Sequence, residues 1–226
     1  MARTASTFCT VSESSEDAPS IWPAYYDVRE GREVGPMFLG ALGRFAASGS
    51  LRRQAIDLGA GDGTDTEALL RAGWKVLAID REEESGRRLV GRLPPDLKRN
   101  LTIETISFED IELLPRADFI YSSMSLPFCK PEAFPRLWGI ITSSLKRGGR
   151  IACHLLGDRD TYATERPDTT FFTSSQVELL FEGFKIEQIN EIEEDGEAFS
   201  GPKHWHIFAV IARKKSRPAG SARSST

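Results

Sequence analysis

Short apolar runs alternate with amphipathic segments along the first two thirds of the chain. Four predominantly apolar runs have the length of buried or half-buried strands: 55–58, 76–79, 101–106 and 118–121. Four other segments show helical spacing of apolar side chains or helix-forming composition: 35–47, 64–72, 81–92 and 131–146. Strands that alternate with helices in this way predict an α/β domain with a mainly parallel sheet.

The last third of the chain predicts how the sheet is closed. Residues 150–156 form a fifth apolar run, and a helix is predicted at 173–182. Strand patterns follow at 184–192 and 205–213, joined by a polar linker, so they should pair as an antiparallel hairpin. The predicted fold is therefore a Rossmann-like, doubly wound α/β sheet of seven strands with a terminal antiparallel hairpin. Residues 157–172 form a polar connection, and connections of this length are often lids or binding loops.

Composition describes one ordinary globular domain with polar ends. The 226 residues are 40% apolar and 27% charged, which fits a single domain predicted at 20–213. Residues 1–19 are rich in Ser, Thr and acids, and 214–226 are basic and Ser-rich, so both ends are predicted to be disordered. The net charge of −4 gives no footprint for nucleic acid, and no run approaches the ~18 apolar residues of a membrane span.

The composition of the amino terminus and the number and spacing of cysteines indicate the cellular compartment. The amino terminus lacks the apolar core of a secretory signal and contains several acids. Three cysteines, at positions 9, 129 and 153, are odd in number and widely spaced, so a disulfide scaffold is not expected. These features predict a protein of the reducing cytoplasm with no membrane contact.

A glycine-rich loop after the first predicted strand is the strongest local signal. The stretch QAIDLGAGDGTD, residues 54–65, ends a strand, carries glycines at 59, 61 and 63, and leads into a helix. Strand, glycine turn and helix together cradle a nucleotide-like ligand at the carboxyl edge of an α/β sheet. Asp80 ends the second strand, where a carboxylate can accept hydrogen bonds from both hydroxyls of a ribose. The alternative interpretation is a tight turn with no ligand.

The charge of this loop indicates which nucleotide-like ligand to expect. Asp57, Asp62 and Asp65 crowd the loop, and like charges ~4 Å apart cost on the order of 1–4 kcal/mol each near a protein surface. A pyrophosphate is therefore disfavoured, and Thr64 replaces the small residue that a dinucleotide fingerprint needs. S-adenosylmethionine (SAM) carries an ammonium, a sulfonium and a ribose, so it suits the same residues.

The pattern D-x-G-x-G-x-G, with an acidic end to the second strand, resembles the class I SAM-dependent methyltransferases. SLPFC at 125–129, GDRD at 157–160 and the closing GPKHWHIFAVIARK resemble bacterial small-molecule methyltransferases related to the tellurite-resistance and thiol methyltransferases. The similarity covers about residues 21–214 and is specific for the cofactor half. It implies the class I methyltransferase fold, SAM as the cofactor and transferase activity (EC 2.1.1), and it leaves the acceptor open.

The resemblance also implies a set of cofactor-binding residues. Those expected to hold the ribose and methionine are Asp57, Gly59, Ala60, Gly61, Asp62, Asp80 and Arg81. Ser122 and Ser123 would flank the methionine part. Phe108 and Glu109 would contact the adenine, although the start of a helix is an equally good interpretation of this segment.

The segment before the first helix would fold over the cofactor. Residues 21–27 form an aromatic cluster ahead of any predicted helix, and Tyr25, Tyr26 and the following Arg32 are assigned to the site. The acceptor is expected to approach under Tyr25 and Tyr26 and the 157–172 connection. Arg32 could pair with the methionine carboxylate, because a guanidinium matches a carboxylate bidentately. Aromatic residues packed on the core and a solvated Arg32 remain the alternative.

Residues for the chemistry are less defined. Methyl transfer mainly needs alignment, desolvation and sometimes deprotonation of the acceptor, so the candidate acid/base groups are His154 and Asp158. His204 and His206 share a strand face but lack a third ligand, so no metal is expected. The fourth strand ends without N/D-P-P-Y or Pro-Cys, which favours a small-molecule acceptor over nucleic acid.

Two other functions stay open at this stage. One is a nucleotide-dependent oxidoreductase, and the other is a SAM-binding protein without transferase activity. The acceptor atom and the oligomeric state are not specified by the sequence.

Overall fold

The computed structural model describes residues 20–46 and 53–216. Strands and helices alternate as the apolar pattern predicts. The strands are β1 Gln54–Leu58, β2 Lys75–Asp80, β3 Leu101–Thr105, β4 Ala117–Ser122, β5 Leu145–Gly157, β6 Phe171–Phe172, β7 Phe184–Ala198 and β8 Gly201–Lys214. The helices are α1 Trp22–Arg29, α2 Pro36–Ala46, α3 Thr64–Arg71, α4 Glu83–Arg92, α5 Pro95–Lys98, α6 Phe134–Ser144, α7 Tyr162–Glu165 and α8 Ser174–Leu180. Single 3-10 turns lie at Phe108–Asp110 and Leu126–Phe128.

One sheet organises the domain, in the order β3-β2-β1-β4-β5-β8-β7. Strands β1 to β5 run parallel, while β8 is antiparallel to both β5 and β7. The sequence-based prediction of a seven-strand order with a reversed terminal hairpin is confirmed. An eighth strand, the two-residue β6, pairs with β5 off this path.

Apolar side chains fill both faces of the sheet. Along β1, Ile56 and Leu58 join the core on one face, where α6 and α8 also pack. Ala55 joins the core on the opposite face, with α2, α3 and α4. The near-continuous apolar runs of the sequence follow from this arrangement, because a strand covered on both faces buries every side chain.

The turn between α6 and β5 differs from the prediction. The sequence predicts a helix over 131–146 and a strand from 150, but α6 ends at Ser144 and β5 begins at Leu145, so β5 includes Gly148 and Gly149. A Cβ at Gly149 would lie 2.9 Å from the carbonyl oxygens of Asp118 and Lys146, so this position requires glycine for close backbone approach.

The closing hairpin is longer than predicted. The polar linker expected between its strands is itself strand, and only Phe199 and Ser200 form the turn. Strand β8 also includes Lys214, which was assigned to the tail, and Lys214 Nζ donates to the carbonyl of Leu145 at 2.9 Å. The predicted tails at 1–19 and beyond 216, the end of the helix at Ala47, and Cys9 lie outside the described residues. Within the described ranges, every helix is too short or too polar to cross a membrane.

Candidate functional site

Helix α1 covers the carboxyl edge of the sheet. The aromatic cluster expected ahead of any helix is itself helical, and Trp22, Tyr25, Tyr26 and Arg29 recur at i, i+3, i+4 and i+7. All four line a cleft that holds about 920 Å³ of empty space, counting its open mouth. The rest of its wall comes from the glycine loop and from the segments that follow β2, β3 and β4.

The glycine loop is bent so that its backbone reaches the cleft. Gly59, Gly61 and Gly63 have φ of +76°, +56° and +78°, a region that glycine adopts at little cost. The amides of Gly59 and Ala60 both donate to the carbonyl of Ile79, at 2.8 and 3.0 Å, which ties the loop to β2. A Cβ added at Gly59 would lie 2.3 Å from the Cβ of Ser125, so only glycine allows the loop to pack this closely against the segment that follows β4.

Asp80 stands at the centre of the cleft floor. Its Oδ2 accepts a hydrogen bond from the Gly61 amide at 2.7 Å. Its Oδ1 accepts from the Glu82 amide at 2.9 Å and from the Tyr26 hydroxyl at 3.0 Å. Burial raises the pKa of this carboxyl, while these donors oppose the rise. The carboxylate is therefore held rigidly at the end of β2, where the sequence predicts a ribose ligand.

Arg32 compensates the carboxylates of the loop. Its Nη2 lies 2.7 Å from Asp65 Oδ2 and 3.2 Å from Asp62 Oδ1. Arg32 lines the cleft as predicted, but its guanidinium already has two acidic partners. Arg29 also lines the cleft, and its side chain has no hydrogen bond or ion pair within the described part of the chain. The guanidinium that is available to a ligand therefore belongs to Arg29. Arg32, the residue predicted to bind the methionine carboxylate, lies three positions further along the chain.

Two predicted cofactor contacts lie beneath the cleft. Asp57 is 2% exposed, and its Oδ2 accepts from the Thr66 hydroxyl at 2.6 Å instead of facing the ligand. Burial, together with the charge of Asp65, raises the pKa of Asp57 to about 7. Ser122 is fully buried and donates to the carbonyl of Leu58 at 3.0 Å. Neither side chain is among those that line the cleft, so their direct contact with the cofactor stays a prediction that this geometry does not support.

The segments after β3 and β4 complete the wall. Phe108 and Glu109 line the cleft, and Glu109 Oε1 accepts from the Lys130 amide at 2.9 Å. Ser123 and Arg81 line it as well. Met124 has φ of +50°, an uncommon backbone conformation for a residue with a side chain. The sequence-based site list lacks these lining residues: Trp22, Arg29, Asp65, Ile106, Met124, Ser125 and Phe128.

His154 and Asp158, the two predicted acid/base groups, lie in different surroundings. His154 Nδ1 is 3.4 Å from the hydroxyl of Ser123, which lines the cleft, and burial lowers the pKa of the imidazole to about 4. Asp158 is exposed and lies 3.8 Å from Arg159 and 3.7 Å from His206. Asp158 is not among the residues that line the cleft, so its role in the chemistry stays a prediction that this geometry does not support.

The two hairpin histidines contact acidic side chains of the neighbouring strand, His206 from a fully buried position and His204 from a partly exposed one. His206 Nε2 lies 2.9 Å from Glu191, and His204 Nδ1 lies 2.7 Å from Asp195. The described residues contain no group of three His, Cys, Asp or Glu side chains arranged to hold a metal ion. These histidines therefore pair with carboxylates of β7.

Comparison with known proteins agrees with this geometry. A family model described as a methyltransferase domain matches residues 55–149, which run from β1 into β5. Curated protein sequences contain no match to the chain.

Solved structures share the fold, and three represent them. TehB from Haemophilus influenzae has a TM-score of 0.68 and 18% identity, over 86% of this chain and 67% of its own. The 1,6-didemethyltoxoflavin-N1-methyltransferase of Burkholderia thailandensis, with 1,6-didemethyltoxoflavin and S-adenosylhomocysteine bound, has a TM-score of 0.58 and 18% identity, over 86% and 85%. A SAM-dependent methyltransferase from Mesorhizobium loti has a TM-score of 0.58 and 19% identity, over 80% and 99%. The predicted fold class is confirmed.

Proposed function

The chain carries a SAM-dependent methyltransferase domain on the class I methyltransferase fold, and from that premise we propose that it transfers a methyl group from SAM to a small-molecule acceptor. The observation that carries the proposal is the position of Asp80, fixed by the Gly61 amide at the floor of a deep cleft. The Burkholderia neighbour, whose name gives a small-molecule acceptor and which binds S-adenosylhomocysteine, supports the acceptor class.

The ribose is assigned to Asp80. A carboxylate offers about four lone-pair directions, and protein donors use three of them here. One direction is free for a ribose hydroxyl. A second becomes available when the Tyr26 hydroxyl turns from the carboxylate toward the ligand. Tyr26 is therefore proposed to close over the ribose from α1.

The methionine part is assigned to the loop and to Arg29. Arg32 is committed to Asp62 and Asp65, so we assign it to holding the loop in shape. The free guanidinium of Arg29 is left to pair with the ligand's carboxylate. Phe108 and Glu109 are assigned to the adenine and Arg81 to the ribose, and all three line the cleft.

Ser123 and His154 are proposed to manage the acceptor's proton. SAM supplies a methyl group on a sulfonium that is already a good leaving group, so the protein's task is alignment and proton removal. The Ser123 hydroxyl can take the acceptor's proton as it passes its own to His154 Nδ1. Burial lowers the pKa of His154 to about 4, so the imidazole is neutral at physiological pH and can accept a hydrogen bond from Ser123. The same burial makes it a weak base, so we assign it to orienting the Ser123 hydroxyl and to receiving the proton only as the methyl group is transferred.

Small-molecule transfer also fits the remaining features of the chain. The net charge of −4 gives no basic surface for nucleic acid, which is why we propose that none is bound. Cys129 and Cys153 are buried free thiols, consistent with a reducing cytoplasm as the proposed location.

Calorimetric titration of SAM into an Asp80→Ala variant tests the central assignment. The substitution removes the carboxylate that is proposed to accept hydrogen bonds from two ribose hydroxyls. SAM binding should therefore weaken by ~100-fold or more, because each hydrogen bond to a charged group contributes about 1.5–3 kcal/mol. Asp80→Asn keeps the loop contacts in part and should bind SAM with intermediate affinity. Asp96→Ala removes an exposed acid of α5 outside the cleft and is the matched control.

Three outcomes would count against the proposal. An unchanged SAM affinity in Asp80→Ala would remove the ribose role of this residue. Thermal stabilisation of the wild-type protein by NAD(P) and not by SAM would contradict a methyltransferase. Tight SAM binding without S-adenosylhomocysteine formation across O, N and S acceptors would leave a binding protein without transfer.

A further inference from the structure

The tip of the closing hairpin places an exposed aromatic ring beside the cleft. Phe199 is 50% exposed although it is a large apolar side chain. Its ring centroid lies 6.0 Å from that of Tyr25, with an interplanar angle of 85°. Tyr25 lines the cleft, so the two rings form a corner at its mouth. Exposed rings that contact each other at the edge of a cleft are typical of ligand-binding surfaces.

The hairpin tip is held in position. The Tyr162 hydroxyl is 2.7 Å from the hydroxyl of Ser200, which joins the tip to α7. Behind it, Lys203 is buried against Asp160, and its Nζ lies over the rings of Tyr162 and Trp205 at 4.1 and 3.9 Å. Phe199 is therefore presented by a rigid support, as a specificity-determining side chain should be.

Tyr25 differs from its neighbour Tyr26 in having an unused hydroxyl. The Tyr26 hydroxyl donates to Asp80, whereas that of Tyr25 has no hydrogen-bond partner in the described ranges 20–46 and 53–216. Tyr25 also packs edge-on against Trp22 at 5.8 Å, which fixes its ring. The corner thus offers two held aromatic rings and one free polar group that can recognise a ligand atom.

We propose that Tyr25 and Phe199 bind the acceptor, and that the acceptor is a planar aromatic compound. This inference rests on the proposed transfer from SAM and names the class of its second substrate. Aromatic rings at right angles leave one face and one edge for a third ring, and aromatic contacts stabilise more than apolar area alone. A puckered aliphatic compound would be stabilised only by burial of its apolar surface. An inorganic oxyanion would gain neither that burial nor an aromatic contact.

A matched pair of ligands tests this class. 2-Naphthol and trans-2-decalol both carry one hydroxyl at the same position of two fused six-membered rings, but only the first is flat and aromatic. Calorimetric titration into the protein saturated with S-adenosylhomocysteine should give an affinity for 2-naphthol about tenfold higher than for the decalol. Phe199→Leu keeps apolar bulk without a ring and should reduce this ratio to about threefold or less.

Separate readouts distinguish this inference from the proposed function. Phe199→Leu should bind SAM as the wild type does, and Leu179→Ala, an exposed apolar change on α8, should leave both affinities unaltered. Equal affinities for the flat and puckered ligands, or an unchanged ratio in Phe199→Leu, would overturn the aromatic acceptor while SAM binding stands. If the wild-type protein does not bind SAM, that result overturns the proposed function instead.

Discussion

Replacing Asp57 by Asn should stabilise the protein at neutral and alkaline pH. Asp57 is buried in β1 ahead of the glycine loop, where its Oδ2 accepts a hydrogen bond from the Thr66 hydroxyl at 2.6 Å. Burial raises its pKa from 3.8 to about 7 in the folded state. The asparagine oxygen can accept the same hydrogen bond without carrying a charge, so the substitution removes the cost of ionisation and keeps the contact.

The sign and size of the effect follow from proton linkage. A carboxyl whose pKa is raised by folding binds its proton more tightly in the native state, so the free energy of unfolding falls as pH rises from about 4 to about 7 and is constant above. A shift of about 3 pKa units corresponds to an upper bound of about 4 kcal/mol, since each unit is 1.36 kcal/mol. Relaxation around the charge would reduce the observed gain to about 1–3 kcal/mol.

Urea unfolding of both proteins between pH 5 and pH 8 measures this prediction. The variant should gain up to about 2.7 kcal/mol over the wild type between pH 5 and pH 7, and the difference should vanish only below about pH 4, where the wild-type carboxyl is protonated in both states. Other carboxyls titrate in both proteins and cancel in the difference, apart from the coupling of Asp57 to Asp65. A difference that stays constant with pH, or a variant that loses stability at pH 8, would refute the assignment of a raised pKa.

Two further substitutions test the supports of the site. Lys203→Met leaves Asp160 buried without its cation, so the free energy of unfolding measured in urea should fall by ~3–5 kcal/mol. A decrease below about 1 kcal/mol would contradict this prediction. Gly59→Ala forces a Cβ onto Ser125 at positive φ and should weaken SAM binding at least ~10-fold by calorimetry, whereas Gly43→Ala in α2, where a Cβ meets nothing, should leave it unchanged. Equal SAM affinities in the two alanine variants would contradict the close approach at Gly59.

The strands and the glycine loop were predictable because short-range patterns specify them. The apolar runs match β1, β2 and β4 to within two residues, since strands buried on both faces leave few polar interruptions. The positive φ values at Gly59, Gly61 and Gly63 follow from a turn that only glycine adopts at little cost. The position of Asp80 at the cleft follows from the rule that ligands bind at the carboxyl ends of parallel strands.

Helix α1 was missed although its spacing was visible. Trp22, Tyr25, Tyr26 and Arg29 recur at helical intervals, but the segment was interpreted only as an aromatic cluster ahead of any helix. Pro23 is compatible with this helix, because proline is tolerated in the first turn, where its missing N–H would be unpaired anyway. The pairing of Arg32 with Asp62 and Asp65 has no such local signal, because it depends on how the chain between α1 and α2 crosses the loop.

The alternation of side chains along β1 explains why Asp57 faces into the protein. Asp57 lies in β1 between Ile56 and Leu58, whose side chains enter the core on the opposite face of the sheet. Because successive side chains of a strand point to opposite faces, the Asp57 side chain points toward α3 and away from the cleft. There its carboxyl group accepts the hydrogen bond from the Thr66 hydroxyl. Its place in the fingerprint suggested ligand contact, while its place in the strand indicated support for the loop.

The preference for SAM over a dinucleotide has a different physical basis from the one the sequence suggests. Arg32 neutralises two of the loop's carboxylates, so negative charge alone excludes a pyrophosphate only weakly. A phosphate at a glycine loop needs free backbone N–H donors. Here the amides of Gly59 and Ala60 donate to Ile79, and that of Gly61 donates to Asp80. Because these donors are already used within the protein, the loop can approach a nucleoside closely but has little to offer a phosphate.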